Sequence, residues 1–149
     1  MGKNFVILIL VQAILSLISA FLIAQMSFIG RIGISLFYKQ YQIFKNPWKT
    51  AALLFMIQLF VLLILWAFKR YSSNKTANIV AILFLVIATI GCIYTYIDFT
   101  STSHKYMKTY FHSGWYIFWG SWILTTISVL FIKRKNIPLK QTNNQLNLS

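Results

Sequence analysis

Two histidines and one aspartate are the side chains best suited to acid–base or metal chemistry in this sequence. His104 and His112 fall in one predicted loop, shortly after Asp98. Zinc accepts imidazole and carboxylate ligands, but Lys105 and Lys108 lie between the histidines and would repel a divalent cation. We therefore predict no metal site, and we interpret the histidines as interfacial residues that hydrogen-bond lipid headgroups.

Asp98 is the only acidic residue of the chain. A single carboxylate cannot form the paired acids of a glycosidase or the ligands of a two-metal centre. Ser101, Ser103 and Ser113 accompany the histidines, but no nucleophile-elbow motif surrounds any of them. The sequence thus predicts a non-enzymatic protein without a cofactor. Asp98 itself is predicted to form an electrostatic tie between outer loops, with Lys105, Lys108 or Arg31 as its partner.

Four long apolar runs must position these residues. The chain is 58% hydrophobic and only 10% charged, whereas soluble domains carry about 25% charged residues. The runs cover residues 5–24, 51–68, 77–97 and 114–132, and none contains a charged residue or a proline. Each is close to the roughly 20 residues that a helix needs to cross a bilayer. They predict an all-α, multi-pass integral membrane protein of the cell membrane (the inner membrane if bacterial), built as a four-transmembrane-helix bundle.

The distribution of positive charge predicts the orientation of this bundle. With four spans, both termini lie on one side, and eight Lys and Arg residues flank the spans there, against six on the other side. Because the larger group is packed against the helix ends, the positive-inside rule places both termini in the cytoplasm. Residues 1–135 then form one membrane domain, and the polar residues 136–149 are predicted to be a disordered tail.

The first outer loop, residues 25–50, is basic and rich in aromatic residues. Ile29, Ile32, Leu36 and Phe44 fall near one helical face, which favours an amphipathic helix lying in the membrane interface. The alternation of apolar and polar residues after Arg31 leaves a hairpin as the alternative. The sequence around Pro47 predicts the end of the loop and the start of the second span.

Trp115, Trp119 and Trp122 have the i, i+4, i+7 spacing of one helix face. If the fourth span enters the bilayer near Gly114, Trp115 lies among the headgroups, where aromatic belts occur. Trp119 then lies about 6 Å deeper and Trp122 about 10 Å deeper. Trp122 is too deep for a belt, so it is predicted either to pack between helices or to line a slot for a quinone or acyl chain.

The indole N–H of a buried Trp122 needs a hydrogen-bond acceptor. Gln12 and Gln58 are the predicted acceptors, and Gly120 and Ser121 are expected to permit close packing. If the slot binds a ligand, its predicted ligand-binding residues are the three tryptophans together with His112, Tyr94 and Tyr110.

Small and polar residues recur at helical spacing in three spans, where they predict helix–helix contact faces. The alternative, a narrow polar path, is less favoured because these residues carry no charge. They are Gln12, Ser16 and Ser19 in the first span, Ala77, Ala81, Ala88, Cys92 and Thr95 in the third, and Ser121, Thr125 and Ser128 in the fourth.

Fourteen Lys and Arg residues give the chain a net charge of +13. Without a basic soluble domain, nucleic acid is not a predicted partner, whereas anionic phospholipids attract basic residues next to spans. The predicted lipid-headgroup contacts are Lys69, Arg70, Lys75, Lys133, Arg134 and Lys135.

Three functional hypotheses are compatible with these features. The favoured one is an accessory subunit or scaffold that acts by association with a membrane-protein partner or as a homo-oligomer. A holin-like or pore-forming permeabiliser is the second, because a short multi-span chain with a basic C-terminus loosely fits that class. The third is a protein that binds a quinone or lipid through the outer aromatic cluster.

Overall fold

Four long helices make up nearly all of the structure, a computed structural model that describes residues 2–25, 43–102 and 108–132. The helices are α1 (Gly2–Ala24), α2 (Pro47–Tyr71), α3 (Asn74–Ser101) and α4 (Thr109–Phe131). All four are long and apolar enough to cross a membrane. The prediction of an all-helical chain with four candidate spans is therefore confirmed, and each predicted run lies inside its helix except for Ile132, which follows the end of α4.

Local sequence explains where α2 and α3 begin. The side chain of Asn46 accepts hydrogen bonds from the backbone N–H groups of Trp48 and Lys49, at 3.0 and 3.4 Å. Pro47 occupies the first helical position, where a missing N–H has no consequence, so the predicted start of the second span is confirmed. The hydroxyl of Ser73 caps α3 by accepting from the N–H of Thr76 at 3.1 Å. Ser72 and Ser73 alone connect α2 to α3.

The helix α1 packs extensively against both α2 and α4, and α3 packs mainly against α4, while α2 makes a similarly limited contact with α3 and with α4. In the most apolar window of each helix, 17% of the residues of α3 are buried, against 33% in each of the other three. The bundle therefore has a three-helix core with α3 attached to one side.

Two clusters of buried side chains stabilise the two ends of the bundle. One contains Ile23, Leu54 and Phe118, near the end of α1 and the start of α4. We call this the aromatic end, because Trp115, Trp119 and Phe44 pack against the same cluster. The other contains Leu8, Leu62 and Val129, near the start of α1 and the end of α4. We call this the basic end, because Lys3, Lys69, Arg70 and Lys75 lie there.

Most of the first outer loop and the C-terminal tail lie outside the described residues. The predicted interfacial helix and its hairpin alternative fall mainly on residues 26–42, which are outside the described ranges, as are residues 136–149 of the predicted tail. The described end of the loop forms a short 3₁₀ turn over residues 43–45. Its Phe44 ring packs edge-on against Trp115, with 5.6 Å between ring centroids, so this part of the loop is seated on the bundle.

Two glycines mark the closest approaches between helices. A Cβ atom on Gly114 would lie 2.7 Å from both the Ser19 carbonyl oxygen and Ile23 Cγ1 of α1. A Cβ atom on Gly91 of α3 would lie 2.6 Å from two ring carbons of Trp119. Gly120 has open space beside it instead, so the expectation that it permits close packing is wrong, because this residue faces away from the neighbouring helices.

We predict that Gly114→Ala and Gly91→Ala each lower the free energy of unfolding by about 1–3 kcal/mol, the usual cost of overpacking a close contact. The measurement is equilibrium unfolding in mixed micelles, followed by circular dichroism. Gly120→Ala is the matched control and should not destabilise the protein, because its methyl group meets no atom. Equal effects of all three substitutions would contradict the contacts at Gly114 and Gly91, because the gain in helix propensity from Gly to Ala is common to all three positions.

Candidate functional site

A layer of buried polar side chains crosses the middle of the three-helix core. The Gln12 amide donates to the carbonyl oxygen of Ser121 at 3.0 Å and also to the hydroxyl of Thr125. The Gln58 amide donates to the carbonyl oxygen of Phe118 at 3.0 Å and to the Ser121 hydroxyl at 2.8 Å. Both glutamines are fully buried. One stretch of α4 is therefore hydrogen-bonded to α1 and to α2 at the same depth.

The polar layer continues along α1 towards the aromatic end. Ser19 donates to the Gly114 carbonyl oxygen at 2.6 Å, and Ser16 is buried between these contacts. Ser121 and Thr125 are buried on the facing side of α4. The predicted contact faces of the first and fourth spans are thus confirmed. Four of the groups that could have lined a polar path are hydrogen-bonded between helices: Gln12, Ser19, Ser121 and Thr125.

Three polar atoms in this layer have no hydrogen-bond partner among the described residues: Gln12 Oε1, Gln58 Oε1 and Ser16 Oγ. Their chemistry is that of neutral donors and acceptors. They can hydrogen-bond an uncharged group but cannot supply a nucleophile activated by a base. The layer is consequently suited to holding helices in register.

Trp119 and Trp122 pack between α3 and α4 and against each other. The indole N–H of Trp119 donates to the Thr95 hydroxyl at 2.9 Å, and its ring covers Gly91. Trp122 lies 5.6 Å from Trp119 and 6.2 Å from Phe84, measured between ring centroids. The interpretation of Trp122 as a packing residue between helices agrees with these contacts.

The N–H of Trp122 is buried and has no acceptor in the described part of the chain. The expectation that Gln12 or Gln58 would supply the acceptor is wrong. Both glutamines meet the α4 face that carries Phe118, Ser121 and Thr125. Trp122 is rotated by about 100° from Ser121, which turns its ring towards α3.

The predicted ligand residues do not converge on a single pocket. The His112 ring stacks on Phe99 of α3, with centroids 4.3 Å apart and planes tilted by 23°. Tyr94 and Tyr110 are exposed on the outer surface, at 73% and 57%, and Trp115 packs on Phe44 and Phe118. Trp119 and Trp122 are thus brought together, while the tyrosines point away from them. Whether a ligand binds the tryptophans stays a prediction.

The other predicted polar residues of the aromatic end are only partly described. Asp98 lies one turn before the end of α3, where its carbonyl oxygen accepts from the N–H and the hydroxyl of Thr102, at 3.1 and 2.7 Å. His104, Lys105 and Arg31 lie outside the described residues, so the predicted tie stays a prediction. The described ranges contain no group of three His, Cys, Asp or Glu residues that could hold a metal ion.

At the basic end, the predicted lipid contacts have three different environments. Lys69 is only 7% exposed, and Lys75 is exposed. The Arg70 guanidinium lies over the rings of Trp66 and Tyr71, 5.5 and 5.7 Å from their centroids. Residues 133–135 are outside the described part. The burial of Lys69 was missed by sequence reasoning, since the chain pattern showed only a basic residue at a helix end.

No family model, curated protein or solved structure matches this chain. The contacts that sequence reasoning missed are aromatic: Phe99 beneath His112, and Trp66 beside Phe5, with ring centroids 5.1 Å apart. Neither pair could be predicted from the local sequence, because each joins residues of two different helices.

We predict an interaction energy of about 0.6 kcal/mol between Trp119 and Thr95, the average for a hydrogen bond between membrane helices. A double-mutant cycle of Trp119→Phe and Thr95→Val, measured by unfolding in mixed micelles, isolates this energy. The control cycle pairs Thr95→Val with Trp115→Phe and should show additivity, because Trp115 packs on Phe44 and Phe118 instead. Additivity in both cycles would contradict the hydrogen bond.

Proposed function

We propose that this protein is a non-enzymatic, multi-pass integral membrane protein that acts by association, as an accessory subunit or scaffold. Its outer face on α3 is the proposed contact for a transmembrane helix of a partner protein. Both termini are cytoplasmic in this proposal, and the basic end is anchored to anionic lipid.

The observation that carries the proposal is the sparse burial of α3. This helix has one extensive neighbour, α4, and a lesser one, α2. Its outward face bears a row of apolar residues at alternating spacings of four and three, each more than half exposed. We call it the α3 seam: Ile79, Leu83, Val86, Ile90, Ile93 and Ile97.

The composition of the α3 seam favours a protein partner over lipid alone. Lipid can cover any apolar face, but a heptad spacing also fits the left-handed crossing that is common between membrane helices. Five of the six residues are Ile or Val, whose side-chain rotamers are already restricted in a helix. Little conformational entropy is therefore lost when they pack against a partner.

The outward face of α1 provides a comparison. Ile7, Leu10, Ile14, Leu17 and Phe21 have a similar spacing, but Leu17 and Phe21 are only 38% and 42% exposed. This row also mixes branched, flexible and aromatic side chains, which do not form an even surface. The helix α1 already packs extensively on two neighbours, so its remaining outward face is best suited to contact lipid.

The charges at the basic end support the proposed orientation. Lys69 and Arg70 occupy the last turn of α2, and Lys75 lies in the first turn of α3. Cationic residues this close to span ends are those on which the positive-inside rule depends. Arg70 and Lys75, which are exposed, are each worth about 1 kcal/mol of attraction near an anionic membrane surface.

A second candidate function, binding of a quinone-like ligand, is favoured by the Trp122 N–H. This buried donor has no acceptor among the described residues, and a buried N–H without a partner is destabilising. A carbonyl oxygen of an apolar ligand inserted beside Phe84 could accept this hydrogen bond.

The α3 seam makes the first proposal testable. Val86→Ala combined with Ile93→Ala should lower recovery of the partner by at least about tenfold in mild detergent, since 1.4 kcal/mol of lost packing suffices. The bundle's melting temperature should stay unchanged, because both side chains point outward. Recovery is measured by quantitative mass spectrometry after affinity purification from native membranes.

The matched control is Ile7→Ala combined with Ile14→Ala, which truncates two equally exposed residues of α1 and should leave recovery intact. If the recovered companion is a second copy of the chain, the α3 seam is the contact of a homo-oligomer and not of a different partner protein. A monomer without a companion, or equal loss in both double variants, would contradict the proposal.

For the second candidate, Trp122→Phe should reduce retention of a short-chain quinone several-fold, because the ring is kept while the N–H is removed. Retention is measured by quinone absorbance after gel filtration, with Trp115→Phe as the control. A wild-type protein that retains no quinone would eliminate this candidate.

A further inference from the structure

The α3 seam has a cation at its end nearest the basic end of the bundle. Lys75 lies in the first turn of α3, four residues before Ile79, and its side chain is exposed. With a rotation of about 100° per residue, Lys75 and Ile93 point in the same direction, and Val86 is turned by only about 20° from both. The charge therefore lies on the line of the seam and not on a separate face of the helix.

The opposite end of the seam is neutral. Thr100 follows Ile97 by one turn, and its hydroxyl donates to the carbonyl oxygens of Tyr96 and Ile97, at 3.0 Å each. The apolar part from Ile79 to Ile97 is about 27 Å long, close to the roughly 30 Å of hydrocarbon in a bilayer. A helix that spans the bilayer along this seam places Lys75 at the edge of the hydrocarbon, about 6 Å beyond Ile79.

The neighbouring cations of α2 have contacts within the bundle. The Lys69 Nζ atom lies 3.5 Å from Asn78 Oδ1 and 3.5 Å from the Leu130 carbonyl oxygen. The Arg70 guanidinium lies over two aromatic rings of its own helix. Lys75 differs from both because it extends the face that we propose as the partner contact.

No acidic side chain of the chain can reach Lys75. Asp98 is the only acid of the sequence, and it lies about 35 Å away along α3 at 1.5 Å per residue. A second copy does not supply one either. Two copies inserted in the same orientation and packed by their α3 seams run parallel, so Lys75 would lie beside Lys75, and like charges at an interface repel. The charge therefore favours a different chain over a homo-oligomer.

We infer that the partner helix carries an aspartate or glutamate at the end that lies beside Lys75, and that this carboxylate forms an ion pair with the Lys75 ammonium. The inference rests on the proposed association through the α3 seam and names the chemistry of the partner. Anionic lipid neutralises any exposed cation at this end, whereas the alignment of Lys75 with the seam matters only for a helix that lies on the seam.

The ion pair would give the association its specificity. At the hydrocarbon edge the two charges are less screened than in water, and they fix the direction in which the partner helix runs along the seam. A helix that ends in Lys or Arg at this position is rejected by repulsion. The apolar residues of the seam supply the packing, and Lys75 selects the partner.

The test is zero-length cross-linking in native membranes. A carbodiimide joins an amine to a carboxylate in contact with it, and mass spectrometry identifies the linked peptides. Wild type should link Lys75 to an Asp or Glu next to an apolar span of the partner. Lys75→Arg keeps the charge but replaces the amine by a guanidinium that stays protonated, so it should recover the partner normally and lower this link at least about tenfold.

Charge reversal tests the pair itself. Lys75→Glu places two carboxylates in contact and should lower partner recovery at least about fivefold. The control is Lys3→Glu, which reverses an exposed charge of α1 at the same end and should leave recovery intact. Exchange of the partner's linked acid for Lys should restore recovery with Lys75→Glu. The melting temperature should not fall in either variant, because both lysines are exposed.

The outcomes separate this inference from the proposed association. The ion pair is overturned if Lys75 links only to phosphatidylserine, if the partner links only at other lysines, or if Lys75→Glu recovers the partner as well as wild type does. In each of these cases, loss of recovery in the Val86→Ala, Ile93→Ala double variant would still support the association. A second copy as the recovered companion would overturn the ion pair alone, and a chain without any companion would overturn both.

Discussion

Two glutamine amides hydrogen-bonded to one stretch of α4 determine how this bundle is arranged. In a bilayer, apolar helix surfaces gain little by leaving lipid, so close packing and interhelical hydrogen bonds define which surfaces meet. Gln12 of α1 and Gln58 of α2 both donate to Ser121 of α4, one to its carbonyl oxygen and the other to its hydroxyl. A shift of either helix by one turn would leave these buried amides without partners, which is costly in hydrocarbon.

Other contacts depend on the register that the glutamines set. With Gln12 opposite Ser121, the antiparallel course of α1 and α4 places Ser19 against the backbone of Gly114, at 2.6 Å. The same register brings Leu8 and Val129 into one cluster at the basic end. Both the tight contact at the aromatic end and the buried cluster at the basic end are consequences of the central layer.

The spans and their contact faces were predictable because they depend on local sequence. Uninterrupted apolar runs indicate helices in membranes, and small or polar residues at Gln12, Ser16 and Ser121 indicate the sides that meet. The orientation of each polar group was not predictable, because it depends on which helix lies opposite. Trp122 was assigned acceptors on α1 or α2, whereas its ring is turned towards α3, and Lys69 was expected at the surface.

The ligand set at the aromatic end illustrates the same limit. Trp119 and Trp122 share a helix face with His112 by spacing alone, and the three do lie along α4. Tyr94 and Tyr110 were included as members of the outer aromatic cluster, but a position at the same end of a helix does not specify direction around it. Contacts such as His112 on Phe99 require the rotation of α3 about its own axis, which no local pattern encodes.

The attachment of α3 is unequal along its length. Its buried side chains near the basic end are the small alanines Ala77 and Ala81, whereas at the aromatic end the large Phe99 ring is buried against Phe111 and His112. Because dispersion attraction grows with the number of atoms in contact, side-chain packing holds α3 chiefly at its aromatic end. The basic end of α3 depends instead on the two serines that join it to α2.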